Sequence, residues 1–151
     1  MMNDYIIKVM LSVVLMLLVA VAYAQKPEVF SKDEKAIEGY DPVSYFTDSK
    51  ARLGKDKFTF VHAGANWYFS SEENLELFQS NPSKYMPQYG GYCAYGLASG
   101  YKAPISPQAW TIVDDKLYLN YNKKIQGDWL ADQTEKIKKA DENWPNVKND
   151  Q

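Results

Sequence analysis

Hydrophobic and polar positions along the chain alternate in several short segments, as they do in β-strands. Bulky and polar residues alternate over 58–62 and 67–69, with small turn-forming residues between them, which predicts a β-hairpin. The same signals predict a second hairpin from 110–113 and 117–119, joined by two aspartates and a lysine. Residues 43–46 follow a turn and are predicted as a further short extended run.

Three short helices are predicted between the two hairpins. Ser70 followed three residues later by Glu73 fits a capping box and predicts a helix that ends near residue 80. Asn81-Pro82 predicts a second helix, with Asn81 as cap and Pro82 in its first turn. A third helix is predicted over 92–97, although flanking glycines leave its ends uncertain.

The C-terminal part carries the longest helical pattern. Apolar residues recur on one side of 123–143 at about 100° per residue, which predicts a long amphipathic helix. Pro145 is expected to end it. Hairpins, short helices and one long helix in this order indicate a small α+β single domain.

The N-terminal segment has the pattern of a secretory signal. A basic residue precedes an apolar run over 9–21, and small residues follow at Ala22 and Ala24, which predicts cleavage before Gln25. The run is shorter than the about 20 residues that a spanning helix needs, so no stable membrane span is expected after cleavage. Asp4 weakens the positive region and leaves an uncleaved anchor open. The protein is expected to be periplasmic or secreted.

Four segments follow from these boundaries: a signal peptide over 1–24, a flexible lead-in over 25–35, the domain over 36–145 and a polar tail over 146–151. Seventeen Lys and Arg residues against 19 Asp and Glu residues give a net charge of −2, which argues against nucleic acid and anionic membranes as partners. The single cysteine forbids an internal disulfide. In an oxidising compartment this thiol must be protected, used, or paired with another chain.

The stretch 85–100 is the most informative part of the chain, because it combines the only cysteine, Cys93, with four glycines and four tyrosines. Glycines beside large rings let backbone segments approach closely while the rings cover the contact. If Cys93 lies in the first turn of the predicted helix, free backbone N–H groups favour its thiolate. The alternative is a buried cysteine that acts as a small hydrophobe. The tyrosines are expected mainly to pack, with one or two hydroxyls reaching the thiol.

Other side chains add little chemistry by themselves. His62 is the only histidine and ends a predicted strand, where an exposed imidazole is as reasonable as a ligand. His62, Cys93 and Met86 together would make a copper site, if the fold brings them together. No carboxylate pair, nucleophile elbow, phosphate loop or zinc-spaced cysteines occur, so nothing indicates a hydrolase, kinase or transferase, and a non-enzymatic role is favoured. Asp41 before Pro42 is predicted to fix a turn through its side chain.

Several segments in order resemble the YHS-domain family, over roughly residues 36–145. The whole region after the signal resembles the exported branch known as YHS domain-containing (seleno)proteins. The matching segments are Asp41-Pro42-Val43, Trp67-Tyr68-Phe69-Ser70-Ser71, Phe78, Asn81-Pro82-Ser83-Lys84-Tyr85, Tyr89-Gly90-Gly91-Tyr92-Cys93-Ala94, Lys116-Leu117-Tyr118-Leu119-Asn120 and Asn143-Trp144-Pro145.

The resemblance implies a treble-clef-like or TRASH-like core and an association with heavy metals, copper especially. The positions that align with the metal-binding cysteines are here Ser44, Ser70 and Asn74, which are poor ligands for a soft ion. Phe69 stands where the family has its histidine. The resemblance also implies that the position of Cys93 carries selenocysteine in some members, which points to redox or soft-metal chemistry.

Two functions follow as expectations. The first is an exported metal-handling or thiol-redox accessory module centred on Cys93, with His62 and Met86 as helpers and a metal ion or a thiol or protein partner. It requires Cys93 in or under a pocket and within about 4 Å of a polar group. The second is a non-catalytic interaction domain whose metal site is lost, with Cys93 buried among apolar side chains and His62 facing solvent.

Overall fold

Two antiparallel hairpins and several short helices make up the α+β domain of this computed structural model, which describes residues 3–24 and 27–149. The helices are α1 (Asp4–Ala24), α2 (Ser44–Thr47), α3 (Glu72–Ser80), α4 (Pro82–Tyr85), α5 (Ala94–Ala98), α6 (Lys123–Leu130) and α7 (Gln133–Val147). The strands are β1 (Ser31–Lys32), β2 (Lys35–Ala36), β3 (Lys55–His62), β4 (Ala65–Phe69), β5 (Ser106–Val113) and β6 (Lys116–Asn120). Two 3-10 turns span Ile37–Gly39 and Gln88–Gly91. The predicted fold class, α+β with a helical C-terminus, is confirmed.

The first predicted hairpin forms from β3 and β4, which pair antiparallel from Thr59 opposite Tyr68 to His62 opposite Ala65. β4 also pairs with β2, so the sheet has the order β1-β2-β4-β3. Alternate side chains of β4 enter the core because successive residues of a strand face opposite sides. Trp67 and Phe69 are fully buried and place their rings 5.2 and 5.1 Å from that of Phe78 in α3.

The second predicted hairpin also forms, from β5 and β6. Its turn is Asp114-Asp115, and both residues have positive φ, which aspartate tolerates better than most residues. β6 is buried on both faces, with Leu117, Leu119 and Asn120 fully enclosed. Helix α6 covers one of these faces, where the Trp129 ring lies 5.3 Å from that of Tyr118.

Two predictions in the segments that contact Asp41 were wrong. Residues 43–46 are largely helical rather than extended, because Asp41 Oδ1 accepts hydrogen bonds from Val43 N at 2.9 Å and Ser44 N at 3.3 Å. Helix α3 is capped by Ser71, whose hydroxyl accepts from Asn74 N at 3.2 Å, and not by Ser70. The Asp41 carboxylate accounts for both differences, because it also accepts hydrogen bonds from the backbone N and the hydroxyl of Ser70, so that the Ser70 hydroxyl does not cap α3.

The helix predicted over 92–97 begins later, at α5, because Tyr92 is extended and Cys93 N donates to the Ala103 carbonyl at 3.0 Å. The predicted second helix forms as α4 with Pro82 in its first turn, although the Asn81 side chain makes no capping hydrogen bond.

The long C-terminal helix is divided in two. Asp132 has non-helical angles (φ −142°, ψ 45°) and separates α6 from α7. Pro145, expected to end the helix, lies in the last turn of α7, which continues to Val147 and is closed by Lys148 N donating to the Trp144 carbonyl at 2.9 Å. The break lets α7 pack on α5, where Asn143 Nδ2 donates to the Leu97 carbonyl at 2.9 Å.

The packed part of the chain extends past the predicted boundaries at both ends. In the predicted lead-in, Val29 and Phe30 are buried, and Phe30 N donates to the Gly90 carbonyl at 2.9 Å. In the predicted tail, Val147 is buried at the end of α7. The segment 27–30 is therefore held against the domain. Gln25 and the predicted cleavage bond fall outside the described residues.

The predicted signal segment coincides with α1, and its described side chains are exposed. Among the described residues, no helix combines the length and the apolar character needed to cross a bilayer.

Candidate functional site

Cys93 lies at the junction of three elements. It occupies the N-cap position before α5, and its backbone N–H donates to the Ala103 carbonyl. It also forms an isolated parallel β-bridge with Leu119 of β6. Its side chain is 2% exposed. Cys93 therefore lies one residue before the first helical turn, where it was predicted to lie. Its backbone N–H is not available to an anion, because it already donates to Ala103.

A glycine before Cys93 makes this close packing possible. Gly91 has a φ of +86°, and a Cβ there would lie 2.7 Å from Ile37 Cγ2. The chain can therefore approach the 3-10 turn Ile37–Gly39 only with glycine at this position. The position of the thiol is fixed by this backbone packing and by the pairing with β6.

The thiol hydrogen-bonds to Asn120, at the end of β6. Cys93 Sγ donates to Asn120 Oδ1 at 3.7 Å, and Tyr95 N donates to the same oxygen at 3.2 Å. Because a backbone N–H must meet an acceptor, these two contacts fix which side of the amide is the oxygen. Asn120 is fully buried, and its Nδ2 has no hydrogen-bond acceptor within the described part of the chain.

Above the thiol is a pocket of about 250 Å³. Cys93 forms part of its wall together with Tyr95, Tyr101, Tyr121 and Ile125, and the two rim tyrosines, Tyr101 and Tyr121, are about half exposed. Apart from the tyrosine hydroxyl groups, the side chains of these walls are apolar. The requirement that Cys93 lie just under a pocket and within about 4 Å of a polar group is met, with Asn120 as that group.

The tyrosines around Cys93 mainly pack, as predicted. Tyr85, Tyr89 and Tyr92 are buried. Tyr89 donates to Asp141 at 2.8 Å, and burial together with this carboxylate raises its pKa well above the usual range. Tyr92 donates to the Pro27 carbonyl at 2.7 Å, and burial raises its pKa to about 12. Because these two hydroxyls bind elsewhere, neither reaches the thiol.

His62 lies in a different part of the domain from the pocket walls. It is half-buried at the end of β3, stacked on Phe60 with ring centroids 6.1 Å apart and edge-on to Phe78 at 5.9 Å. Its carbonyl accepts from Trp67 Nε1 at 3.0 Å. The imidazole therefore packs with rings rather than facing solvent, and it does not line the Cys93 pocket.

Met86 is half-buried just after α4 and also does not line the Cys93 pocket. The described residues contain no group of three or more His, Cys, Asp and Glu side chains that could hold a metal ion. At Cys93 a soft ion would find one sulfur, one amide oxygen and phenol rings, whereas copper prefers several thiolate, thioether or imidazole ligands. The residues around Cys93 do not fit a copper ion.

Asp41 makes a network of buried hydrogen bonds that goes beyond the turn predicted for it. It is fully buried and accepts five hydrogen bonds, from Val43 N, Ser44 N, Ser70 N, Ser70 Oγ (2.6 Å) and Asn74 Nδ2 (2.7 Å). The predicted turn at Asp41 is confirmed, but its links to Ser70 and Asn74 were missed. The Asp-Pro pair, a common helix start, was the available signal.

Ser44, Ser70 and Asn74, the three positions that the resemblance aligns with metal-binding cysteines, all hydrogen-bond to Asp41. Where the resemblance places metal ligands, this chain has hydrogen bonds that join the start of α2 to the start of α3. Ser70 and Asn74 also border a depression of about 640 Å³ whose other walls include Arg52 and Lys55. Since both oxygens of Asp41 already accept hydrogen bonds, this carboxylate is occupied with holding the fold together.

No family model, no curated protein and no solved structure matches this chain. The resemblance to the YHS family stays a prediction.

Proposed function

We propose that the protein is an exported thiol-redox accessory module of the YHS type, in which Cys93 is the reacting group. The observation that carries this proposal is the position of the thiol, in the wall of a pocket of about 250 Å³ and hydrogen-bonded to the buried amide of Asn120. A cysteine used only to fill space needs neither feature.

The pocket explains how a lone thiol can persist in an oxidising compartment. With 2% of its surface exposed, Cys93 is closed to the thiols and disulfides of other proteins. A small molecule that enters between Tyr101 and Tyr121 reaches it from one side. The fold therefore selects reagents by size.

The reaction cycle requires a partner from outside the chain. Since Cys93 is the only cysteine, no second thiol of this protein can resolve an oxidised sulfur. Because thiols of other proteins do not reach the buried sulfur, a small-molecule thiol that enters the pocket must return Cys93 to its reduced form. The accessory role rests on this dependence, and export rests on the signal pattern over 1–24.

Alkylation of the native protein with iodoacetamide tests the function. We expect wild-type protein to be labelled at Cys93 while folded, and Cys93→Ser not to be labelled. Ala103→Phe, which adds a ring to the pocket wall, should slow native labelling and leave labelling in denaturant unchanged. A thiol that is labelled only after unfolding would rule out the redox function.

A second candidate, a non-catalytic interaction domain, is favoured by one observation, the near-complete burial of Cys93. In that case Cys93→Ala would cost about 1 kcal/mol of stability and change nothing else. The same labelling experiment separates the two functions, because a packing cysteine is not reached in the native state.

A further inference from the structure

The walls of the pocket above Cys93 carry no charged side chain. The described residues that line it include three tyrosines, Tyr95, Tyr101 and Tyr121, and no Lys, Arg, His, Asp or Glu. An ion that entered such a pocket would lose its hydration without gaining a partner of opposite charge, which is costly. The walls therefore favour an uncharged ligand.

The three tyrosines give the pocket an aromatic character. Tyr101 and Tyr121 are each about half exposed, so part of each ring is free to contact a ligand. Aromatic rings that pack in offset or edge-to-face geometry gain more than an equal area of aliphatic surface. Each tyrosine hydroxyl can also donate or accept a hydrogen bond. These walls suit an aromatic ring with a small polar substituent.

The volume of the pocket limits the size of that ligand. It measures about 250 Å³. An apolar cavity of about 150 Å³ is large enough for benzene, and pockets for drug-sized ligands start at about 300 Å³. The space therefore fits one aromatic ring or two fused rings.

Backbone hydrogen bonds hold the walls in place without a ligand. Tyr101 N donates to the Gly96 carbonyl at 3.1 Å and Cys93 N to the Ala103 carbonyl at 3.0 Å, so the segment 101–103 is fixed to the start and the middle of α5. A Cβ at Gly96 would lie 3.2 Å from Ala103 Cβ and 3.3 Å from Tyr101 Cε2. Because this side of the pocket is already packed, binding costs little ordering of the protein.

We propose that this pocket is a binding site for an uncharged aromatic molecule of one or two rings that carries a hydroxyl or N–H group. This inference goes beyond the proposed thiol function and does not rest on the reactivity of Cys93. Since Cys93 forms part of the wall, the bound molecule also covers the thiol.

Isothermal titration calorimetry near neutral pH with three probes of similar size tests the ligand class. The probe 2-naphthol is aromatic and uncharged, 2-naphthoate carries a carboxylate, and 2-decalol has two fused rings without aromatic character. We expect 2-naphthol to bind at one site with a Kd below about 100 μM, 2-naphthoate about tenfold more weakly and 2-decalol about threefold more weakly. Equal or tighter binding of either comparison probe, or no saturable binding of 2-naphthol, overturns the inference.

Two variants locate the bound probe. Tyr121→Ala removes a half-exposed ring from the wall and Ala103→Phe fills the pocket, so each should weaken 2-naphthol binding about tenfold. Val61→Ala is the control for adsorption to exposed apolar surface, because Val61 is largely exposed on β3 and does not line this pocket. Its Kd should equal that of wild type. If Ala103→Phe does not fold, the exposed Tyr121 still provides the test, and an unchanged Kd in Tyr121→Ala means that 2-naphthol binds elsewhere and the inference is wrong.

The aromatic site and the thiol function fail separately. If 2-naphthol binds and Cys93 is labelled by iodoacetamide only after unfolding, the site stands and the thiol function is rejected. If native Cys93 is labelled and 2-naphthol does not bind, the site is rejected and the thiol function stands. Where both hold, saturating 2-naphthol should slow native labelling about tenfold, because the probe covers the sulfur.

Discussion

At the scale of single residues, two buried polar side chains set the local structure, Asp41 and Asn120. Asp41 connects the segment before α2 to the start of α3, and Asn120 connects β6 to Cys93 and α5. Both are fully buried, so each hydrogen bond forms in a low-dielectric interior where an unpaired partner is costly.

Asp41→Asn is expected to destabilise the domain by about 3 kcal/mol. An asparagine that keeps its carbonyl toward Val43 N and Ser44 N must turn its amino group toward Ser70 N and Asn74 Nδ2, which are donors. Urea unfolding measures the loss as a lower midpoint at constant slope.

Asp56→Asn is the matched control, since the Asp56 side chain is 91% exposed and pairs with Lys35 only at 3.5 Å. Its effect should stay below about 0.5 kcal/mol. Equal midpoints for the two variants would show that the Asp41 network contributes nothing to stability.

The sequence could single out Cys93 but not its surroundings. Its glycine and tyrosine neighbours are adjacent in the chain, whereas Asn120 is 27 positions away and meets the thiol only through the parallel bridge between Cys93 and Leu119. His62 and Met86 were linked to Cys93 by ligand chemistry alone. Ligand chemistry does not fix position, and neither side chain lines the Cys93 pocket.

At the scale of elements, the hairpins and the end of α3 near residue 80 were predictable, whereas several helix starts and the break between α6 and α7 were not. Each hairpin combines alternation with turn residues that tolerate positive φ, Ala63-Gly64 in one and Asp114-Asp115 in the other, so two local signals agree. The misplaced starts and the break depend on tertiary partners. The Asp41 carboxylate decides two of them, and the break at Asp132 turns α7 onto α5.

The contact between the N-terminal segment and the turn Gln88–Gly91 can be tested at Gly90. A Cβ at Gly90 would lie 1.8 Å from the Glu28 carbonyl oxygen, so Gly90→Ala must displace residues 28–29 as well as strain a φ of +62°. We expect a loss of about 3 kcal/mol in urea unfolding and faster hydrogen exchange at the Phe30 amide, which donates to Gly90.

Gly64→Ala provides the matched comparison. Gly64 has a similar φ of +71°, and no atom lies within 4 Å of the added Cβ, so only the backbone strain of about 1 kcal/mol remains. If Gly90→Ala and Gly64→Ala lose the same stability, the segment 27–30 is not packed on the turn.

At the scale of the whole molecule, buried tyrosines connect the parts of the domain. Tyr45 donates to the Pro107 carbonyl, Tyr89 to Asp141 and Tyr92 to the Pro27 carbonyl, so these hydroxyls join elements distant in the chain. Burial raises the pKa of each, and also that of Tyr118. The pKa of Tyr92 rises to about 12.

Stability should therefore fall in alkaline solution. Unfolded tyrosines lose their protons near pH 10, while the folded state keeps them, so above about pH 10 the folded state binds more protons and the free energy of unfolding decreases with pH. The stabilisation is complete below about pH 10 and is lost as pH rises toward the folded pKa values.

Guanidinium midpoints measured from about pH 8 to about pH 11 should show this decline, and Tyr92→Phe should show a shallower one, because it removes one group with a raised pKa. A wild-type midpoint that stays constant across this range would contradict the burial of these hydroxyls.

The most direct test of whether Cys93 is a working thiol is its rate of alkylation by iodoacetamide in urea concentrations below the unfolding transition. A reagent that enters through the pocket meets the native sulfur, so we expect a rate that is nearly independent of urea and slower in Ala103→Phe. A rate whose logarithm rises with urea at the slope of global unfolding would mean that only the unfolded chain reacts, and Cys93 would then be a packing residue.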